Sequence, residues 1–137
     1  MSMTKITIHS DGAARGNPGP AAAGAVLTAD DGTVLAEVSR YLGEMTNNQA
    51  EYRALLLALE EALRKGASEL CIYADSELMV RQIKGEYRVK NEELKPLFQS
   101  VMRELKKVGS FAIHHVPRER NKAADKLANR ALDAEGA

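Results

Sequence analysis

The sequence is poor in cysteine and aromatic residues, and it has no long apolar run. Cys71 is the only cysteine, which excludes an internal disulfide or a zinc site built from cysteines and favours a reducing compartment. There is no Trp, and aromatic residues make up 4%, so a stacking platform for single-stranded bases is not expected. No run approaches the roughly 18–20 apolar residues of a membrane span. The first residues also lack the apolar stretch of a signal peptide. We therefore expect a cytoplasmic protein with no membrane partner.

Neither sign of charge is in excess over the whole chain. The 19 Lys and Arg residues balance 19 Asp and Glu residues, which argues against a strongly basic nucleic-acid binder. The balance is uneven along the chain, however. Residues 1–77 hold 6 basic and 11 acidic residues, a net of −5, and residues 78–137 hold 13 and 8, a net of +5. The second half could therefore hold a phosphate backbone.

The length of 137 residues predicts one domain over 1–137, with a frayed tail at 133–137. The spacing of apolar residues predicts the element order β-β-β-α-β-α-α-β-α. A three-strand meander followed by alternating elements is typical of an α/β protein with a mixed sheet covered by helices. The predicted strands are 5–11, 23–28, 34–41, 70–75 and 111–116; a Gly- and Pro-rich loop fills 12–20; the later helices are 76–83, 91–107 and 121–132, with Pro96 in a first turn; and the first helix, capped by Asn48, runs through Leu63 to Gly66.

Four carboxylates, Asp11, Glu51, Asp75 and Asp125, lie at the ends of these predicted elements. Each has a structural interpretation as well. Asp11 could belong to an Asp-Gly turn, and Glu51 could close a capping interaction with Asn48. Asp75 could cap the helix that follows it. The negative charge of Asp125 could be stabilised by the dipole at the start of its helix.

The four carboxylates as a set point to a metal site. If the strands that end at Asp11 and Asp75 are parallel neighbours, their carboxylates emerge side by side. Glu51 and Asp125 lie early in two helices next to these strands. Clustered carboxylates repel one another, and hard divalent cations such as Mg²⁺ or Mn²⁺ relieve that repulsion. Two such ions are suited to phosphoryl displacement.

Four motifs occur in order along nearly the whole chain. They are DGAARGNPGP at 11–20, TNNQAEYRA at 46–54, YADSEL at 73–78 and RERNKAADKLAN at 118–129. With the predicted elements between them, these motifs resemble the type 1 ribonuclease H family. The resemblance implies a ribonuclease H-like fold with a five-stranded sheet in the order 3-2-1-4-5, in which strand 2 is antiparallel.

The resemblance also implies a function and a catalytic site. It identifies Asp11, Glu51, Asp75 and Asp125 as the metal-binding catalytic quartet. It implies an endoribonuclease that cleaves the RNA strand of RNA–DNA hybrids and leaves 5′-phosphate and 3′-hydroxyl ends. Two Mg²⁺ ions, or Mn²⁺ as an alternative, would bind with the substrate. Activity on double-stranded RNA stays open, and we expect a monomer.

Selection for RNA needs contacts to 2′-hydroxyl groups in the minor groove. Amides in two loops next to the quartet can make such contacts, although Asn48 could equally be a helix cap. Exposed cations of residues 84–90 could hold phosphates, or could simply face solvent. The candidate substrate contacts are Asn17, Thr46, Asn47, Asn48, Gln49, Ser76, Lys84, Arg88 and Lys90.

Two departures from the family pattern stand out. Many bacterial members carry a histidine in a longer loop before the last Asp. Here that loop is short, and His114 and His115 lie upstream in a predicted strand, so Arg118 and Glu119 are the candidates for proton transfer. Residues 84–90 leave no room for the extra helix and basic protrusion of some members. The chain thus resembles the branch without the protrusion.

Three other functions compete with this interpretation. Transposases and integrases share the scaffold, but a chain of this length leaves no room for an end-binding domain. A non-catalytic module that binds hybrids or double-stranded RNA would not need all four carboxylates. The related sugar-kinase scaffold needs a second domain.

Overall fold

A five-stranded mixed sheet forms the centre of the structure, a computed structural model that describes residues 4–137. The strand order is β3-β2-β1-β4-β5, in which β2 is antiparallel to its neighbours and β1, β4 and β5 are parallel. This confirms the predicted fold, element order and strand order. The elements are β1 (Lys5–Ala14), β2 (Gly19–Ala29), β3 (Val34–Met45), α1 (Asn47–Arg64), β4 (Glu69–Ala74), α2 (Glu77–Ile83), α3 (Lys95–Leu105), β5 (Ser110–His115), a 3-10 turn (Arg118–Arg120) and α4 (Lys122–Ala134).

The main core lies between one face of the sheet and α1. Ile6 and Ile8 of β1 stand in register with Leu70 and Ile72 of β4, and all four side chains are buried. Because side chains alternate along a strand, the residues between them face the other side of the sheet. The core thus fixes which side chains of β1 and β4 reach the end of the sheet together.

Helix α4 packs on the opposite face through β2. This strand is rich in alanine, and Gly24 lies where α4 comes closest. A Cβ at Gly24 would sit 2.0 Å from the Ala124 carbonyl oxygen and 2.6 Å from the Ala128 nitrogen. Only glycine therefore allows α4 to approach the sheet this closely.

The predicted loop over residues 12–20 is wrong in extent. β1 continues to Ala14 and β2 already begins at Gly19, so that residues 15–18 form the turn. Gly and Pro indicated a loop, but the antiparallel ladder runs through them, with Asp11 paired to Gly24. Asp11 is therefore a strand residue, and its interpretation as part of an Asp-Gly turn is wrong.

Two predicted helix caps are also wrong. Thr46, and not Asn48, caps α1, and its partner in the capping box is Gln49. Glu51 is thus free of the capping role considered for it. Ser76 caps α2, since its hydroxyl accepts a hydrogen bond from the Met79 N–H, so the role is not filled by Asp75.

The connection between α2 and α3 has no further helix, in agreement with the branch that lacks the protrusion. The regular part of α3 begins at Lys95, with Pro96 in its first turn as predicted. At the chain end, α4 includes residues 133–134 of the predicted tail, and the Ala137 N–H donates to the Leu132 carbonyl. Among the described residues, no helix is both long and apolar enough to span a membrane.

Candidate active site

Three carboxylates meet at the end of the sheet where β1 and β4 finish. Asp11, Glu51 and Asp75 each offer an oxygen atom, and these atoms lie within 4.8 Å of one another. Ser10 and Ala74 are paired across the parallel strands, so Asp11 and Asp75 both follow the last paired position. The sequence-based expectation that the two carboxylates emerge side by side is therefore met by the fold.

Glu51 joins them because α1 touches β1 through a glycine. A Cβ at Gly12 would lie 2.2 Å from the Ala50 carbonyl carbon and 2.3 Å from the Glu51 nitrogen. The Gly12 N–H donates a hydrogen bond of 2.6 Å to Glu51 Oε1. This close backbone contact places the buried Glu51 carboxylate next to Asp11.

Asp125 lies beside this group but outside it. It stands in the first turn of α4 and lines the same open cleft, whose volume is about 420 Å³. Asn129 Nδ2 donates to Asp125 Oδ1 at 3.2 Å, and Arg118 Nη2 donates to the same oxygen at 3.4 Å. The structure thus brings all four predicted carboxylates to one cleft, with Asp125 held by its own partners.

The cluster disfavours negative charge. Burial, and then the neighbouring carboxylates of Asp75 and Asp125, raise the pKa of Asp11 to about 9. Burial, with the charges of Asp11 and Asp75, also raises the pKa of Glu51 well above its usual range, against the opposing Gly12 N–H. Asp11 would therefore hold a proton at neutral pH unless a cation compensates the cluster.

The donor set fits a hard divalent cation. Asp75 Oδ1 is buried and accepts no hydrogen bond from the described residues. A buried carboxylate oxygen without a partner is costly, and a cation would satisfy it. Asp11, Glu51 and Asp75 supply only oxygen ligands, which suit Mg²⁺ or Mn²⁺ and not softer metals.

Two of the predicted amide contacts form one rim of the cleft, since Asn47 lines it and Asn17 is hydrogen-bonded to Asn47. The Asn47 N–H donates to Asn17 Oδ1 at 3.1 Å, so the turn after β1 meets the start of α1. Asn17, Asn47 and Asn48 are all exposed. Thr46 and Gln49 are half-buried because they form the helix cap.

The remaining predicted contacts do not line the carboxylate cleft. Ser76 serves as the cap of α2, and Lys84, Arg88 and Lys90 lie in the connection that follows. None of these three cations forms an ion pair with another residue of the range 4–137.

The two candidates for proton transfer differ in position. Arg118 lines the cleft and contacts Asp125, whereas Glu119 faces a smaller neighbouring pocket. His114 stacks on Tyr73 with ring centroids 5.4 Å apart, and His115 is exposed.

Three polar residues of the site were missed by sequence reasoning. Arg15 and Asn129 line the cleft, and buried Asn121 donates from Nδ2 to the Ser10 carbonyl at 2.8 Å, which ties the start of α4 to β1. Each lies inside one of the motifs that contain a carboxylate of the quartet. Their i, i+4 and cross-element partners become visible only in the fold.

Comparison with known proteins agrees with this geometry. Residues 9–131 match the family described as "Reverse transcriptase-like". The bifunctional protein Rv2228c of Mycobacterium tuberculosis is 45% identical over 131 residues, covering 95% of this chain and 36% of that protein. Ribonuclease HI of Halobacterium salinarum is 42% identical over 129 residues, covering 94% of this chain and 65% of that protein. The chain thus spans about a third to two thirds of the length of these relatives.

Solved structures share the whole fold. Ribonuclease H1 of H. salinarum superimposes with a TM-score of 0.92 at 42% identity, covering 95% of this chain and 98% of that one. LC11-RNase H1, isolated from compost by a metagenomic approach, was solved in complex with an RNA/DNA hybrid. It gives a TM-score of 0.91 at 43% identity, covering 96% of this chain and 99% of that one. With this fold, four carboxylates in one cleft and these relatives, the chain belongs to the type 1 ribonuclease H family.

Proposed function

We propose that this chain is a metal-dependent endoribonuclease that cleaves the RNA strand of RNA–DNA hybrids. The observation that carries the proposal is the buried, unpartnered Asp75 Oδ1 beside the Asp11 and Glu51 carboxylates. Such a group of acids is costly in a folded protein and becomes useful when cations bind it. The names of its relatives, ribonuclease HI and RNase H1, support the same activity.

The reaction is a hydrolysis. Oxygen of a water molecule forms a bond to the phosphorus, the bond from phosphorus to the 3′ oxygen breaks, and a proton from the water ends on that oxygen. The products carry 5′-phosphate and 3′-hydroxyl ends. When bound, two divalent cations would orient and activate the water and stabilise the charge on the phosphate and leaving oxygen. We propose Mg²⁺ for this role, with Mn²⁺ as the alternative.

The residues of the chain divide the work. Asp11, Glu51 and Asp75 would hold cations on rigid elements, while Asp125 would complete the site from α4. Arg118 donates to Asp125 and would balance the negative charge of that carboxylate. Because all these groups come from one chain, the site supports action as a monomer.

The rim of amides supports recognition of RNA. Asn17 and Asn47 lie at the surface and are linked to each other, and amides can both donate to and accept from a 2′-hydroxyl. The hybrid complex of LC11-RNase H1 supports the same class of substrate. Double-stranded RNA offers the same hydroxyl groups, so we propose it only as a weaker substrate.

Activity is tested directly on a labelled RNA–DNA hybrid with Mg²⁺ or with EDTA. We expect cleavage of the RNA strand with Mg²⁺ and no cleavage in EDTA. Asp75→Asn should abolish cleavage, while Asp30→Asn, an exposed acid in a hairpin turn, should cleave like the wild type. Equal activity in EDTA would contradict the metal mechanism. Tight binding without cleavage would instead favour a non-catalytic module.

We propose that Lys84, Arg88 and Lys90 bind the phosphate backbone of the hybrid. Each phosphate contact removed lowers the slope of log affinity against log salt by about one. Lys84→Ala combined with Lys90→Ala should therefore raise the KM for the hybrid and reduce the slope by up to about two. Lys65→Ala, at the far end of α1 and paired with Glu61, is the control. An unchanged slope would remove these lysines from the interface.

A further inference from the structure

Asp125 differs from the other three carboxylates in how it is held. Asp11, Glu51 and Asp75 come from elements fixed by the core, and they form one tight group. Asp125 stands outside that group on α4 and is half-buried. Its position toward any cation therefore depends on contacts of its own.

Asn129, one helical turn further along α4, supplies the closest of these contacts. Its Nδ2 donates to the Asp125 carbonyl at 3.0 Å and to the Asp125 Oδ1 at 3.2 Å. The Arg118 guanidinium adds a longer bond to the same Oδ1. Both donors reach Oδ1, so neither of them occupies the other carboxylate oxygen, Oδ2.

Arg15 fixes the orientation of the Asn129 amide. From the turn between β1 and β2, its Nη2 donates to Asn129 Oδ1 at 3.2 Å and to Asp133 Oδ1 at 2.7 Å, and its Nη1 donates to the Ala137 carbonyl. A guanidinium can only donate, and carboxylate and carbonyl oxygens can only accept. If the amide were flipped, its NH₂ would face the Arg15 donors and its oxygen would face the Asp125 acceptors. Only one orientation satisfies both neighbours.

We propose that Asn129, oriented by Arg15, is a positioning residue that holds Asp125 for metal binding. The inference rests on the proposed function and adds the residues that orient Asp125, the fourth proposed metal ligand. Partners that orient a metal ligand change metal affinity or activity by about 10–100-fold when they are removed. Neither Arg15 nor Asn129 belongs to the carboxylate quartet.

The test compares three variants of the full chain. Asn129→Leu keeps the approximate volume and removes both hydrogen-bonding groups. Arg15→Met keeps the apolar stem and removes the guanidinium. Arg130→Met is the matched control, because Arg130 is the next residue of α4, is exposed, and pairs with no acid among the described residues.

The first measurement needs no nucleic acid. The melting temperature is followed as Mg²⁺ or Mn²⁺ is titrated, since a cation that binds only the folded state stabilises it. We expect Asn129→Leu to raise the half-saturating metal concentration about 10-fold. Arg15→Met should shift it in the same direction by less, and Arg130→Met should leave it unchanged. A wild-type midpoint in Asn129→Leu would overturn the inference.

The second measurement is hydrolysis of the hybrid. Asn129→Leu should lower kcat about 10-fold at limiting metal, with KM for the hybrid changed by less than about twofold. Excess metal should restore most of kcat, a recovery that a purely structural defect would not show. The double variant with Arg15→Met should be no worse than Asn129→Leu alone, because Arg15 acts through Asn129. Additive losses in the double variant would contradict the proposal that Arg15 acts through Asn129.

The outcomes separate the inference from the function on which it rests. If the wild type binds metal but does not cleave the hybrid, the proposed function fails and the metal titration still decides the role of Asn129. If Asn129→Leu does not fold, as judged by its melting in EDTA, Arg15→Met carries the same test. A wild-type midpoint in Arg15→Met would then refute the orientation of Asn129 by Arg15.

Discussion

Replacing Asp11, one of the three clustered acids, should make the metal-free protein more stable. Asp11 is 5% exposed and lies beside the Asp75 and Asp125 carboxylates, with a pKa raised to about 9. Asp11→Asn removes the charge but keeps the size of the side chain. Its new NH₂ group can also donate to the unpartnered Asp75 Oδ1. We therefore expect the variant to be inactive and, without metal, more stable than the wild type.

The size of the gain follows from proton linkage. An Asp in the unfolded chain has a pKa of about 3.9, so between about pH 4 and pH 9 the folded state holds the proton more tightly. The contribution of the Asp11 carboxyl to the free energy of unfolding is fully present below pH 4 and is lost as the pH rises toward 9. At about 1.4 kcal/mol per pH unit, the loss at pH 7 reaches a limit of about 4 kcal/mol. Water in the open cleft lowers this figure, and we expect a gain of about 1–3 kcal/mol for Asp11→Asn.

Urea unfolding in EDTA measures this gain. The free energy of unfolding is compared at pH 5, 7 and 8.5 for the wild type, Asp11→Asn and the exposed control Asp30→Asn. The wild type and the control should lose stability over this range, and Asp11→Asn should lose much less. Saturating Mg²⁺ should reverse the order, since it stabilises the wild type and not the variant.

One result would refute the reasoning about the cluster. If Asp11→Asn were less stable than the wild type at pH 7 in EDTA, the Asp11 carboxylate would contribute favourable contacts in the folded state. The raised pKa would then have no counterpart in stability. An equal slope against pH in both proteins would lead to the same conclusion.

Two further predictions concern the packing that supports the site. Tyr52 donates a buried hydrogen bond of 2.7 Å to Gln82 Oε1, so Tyr52→Phe leaves that oxygen unsatisfied and should lower the free energy of unfolding in urea by about 1–3 kcal/mol. Tyr87→Phe, on an exposed ring, is the control and should lower it little. Equal losses in the two variants would contradict this account. Gly24→Ala puts a methyl group 2.0 Å from the Ala124 carbonyl oxygen and should cost more than about 3 kcal/mol or prevent folding, and wild-type stability would mean that α4 can move away at little cost.

The sheet and its order could be predicted because the apolar pattern of β1 and β4 is unambiguous. Alternation in β1 and the apolar run in β4 indicate one buried sheet, and the order of elements then restricts the topology. Asp11 and Asp75 follow those strands directly, so their meeting could be inferred from the sequence alone. The helical spacing places Glu51 and Asp125 early in two neighbouring helices, and the family motifs assign them to the same site.

Local boundaries and caps could not be predicted as well. Gly12, Gly16 and Gly19 predict a loop, whereas in the structure Gly12 is required by the close approach of α1 and Gly19 by the tight turn. Thr46 and Asn48 are both good caps, and only the position of Gln49 in space decides between them. The contact between Arg15 and Asn129 joins residues 114 apart in sequence, a separation over which no local pattern carries information.

The glycines at positions 12 and 24 also bear on whether stability and metal affinity can change independently of each other. Gly12 brings α1 against β1, and Gly24, paired with Asp11 across the ladder, brings α4 against β2. Both contacts join peptide backbones, which have no rotamers with which to adapt. The core selects which side chains of β1 and β4 reach the site, whereas peptide units limit how closely α1, with Glu51, and α4, with Asp125, approach the sheet. Substitutions that repack Leu55 or Leu59 in the core of α1 should change the free energy of unfolding while leaving the half-saturating metal concentration unaltered.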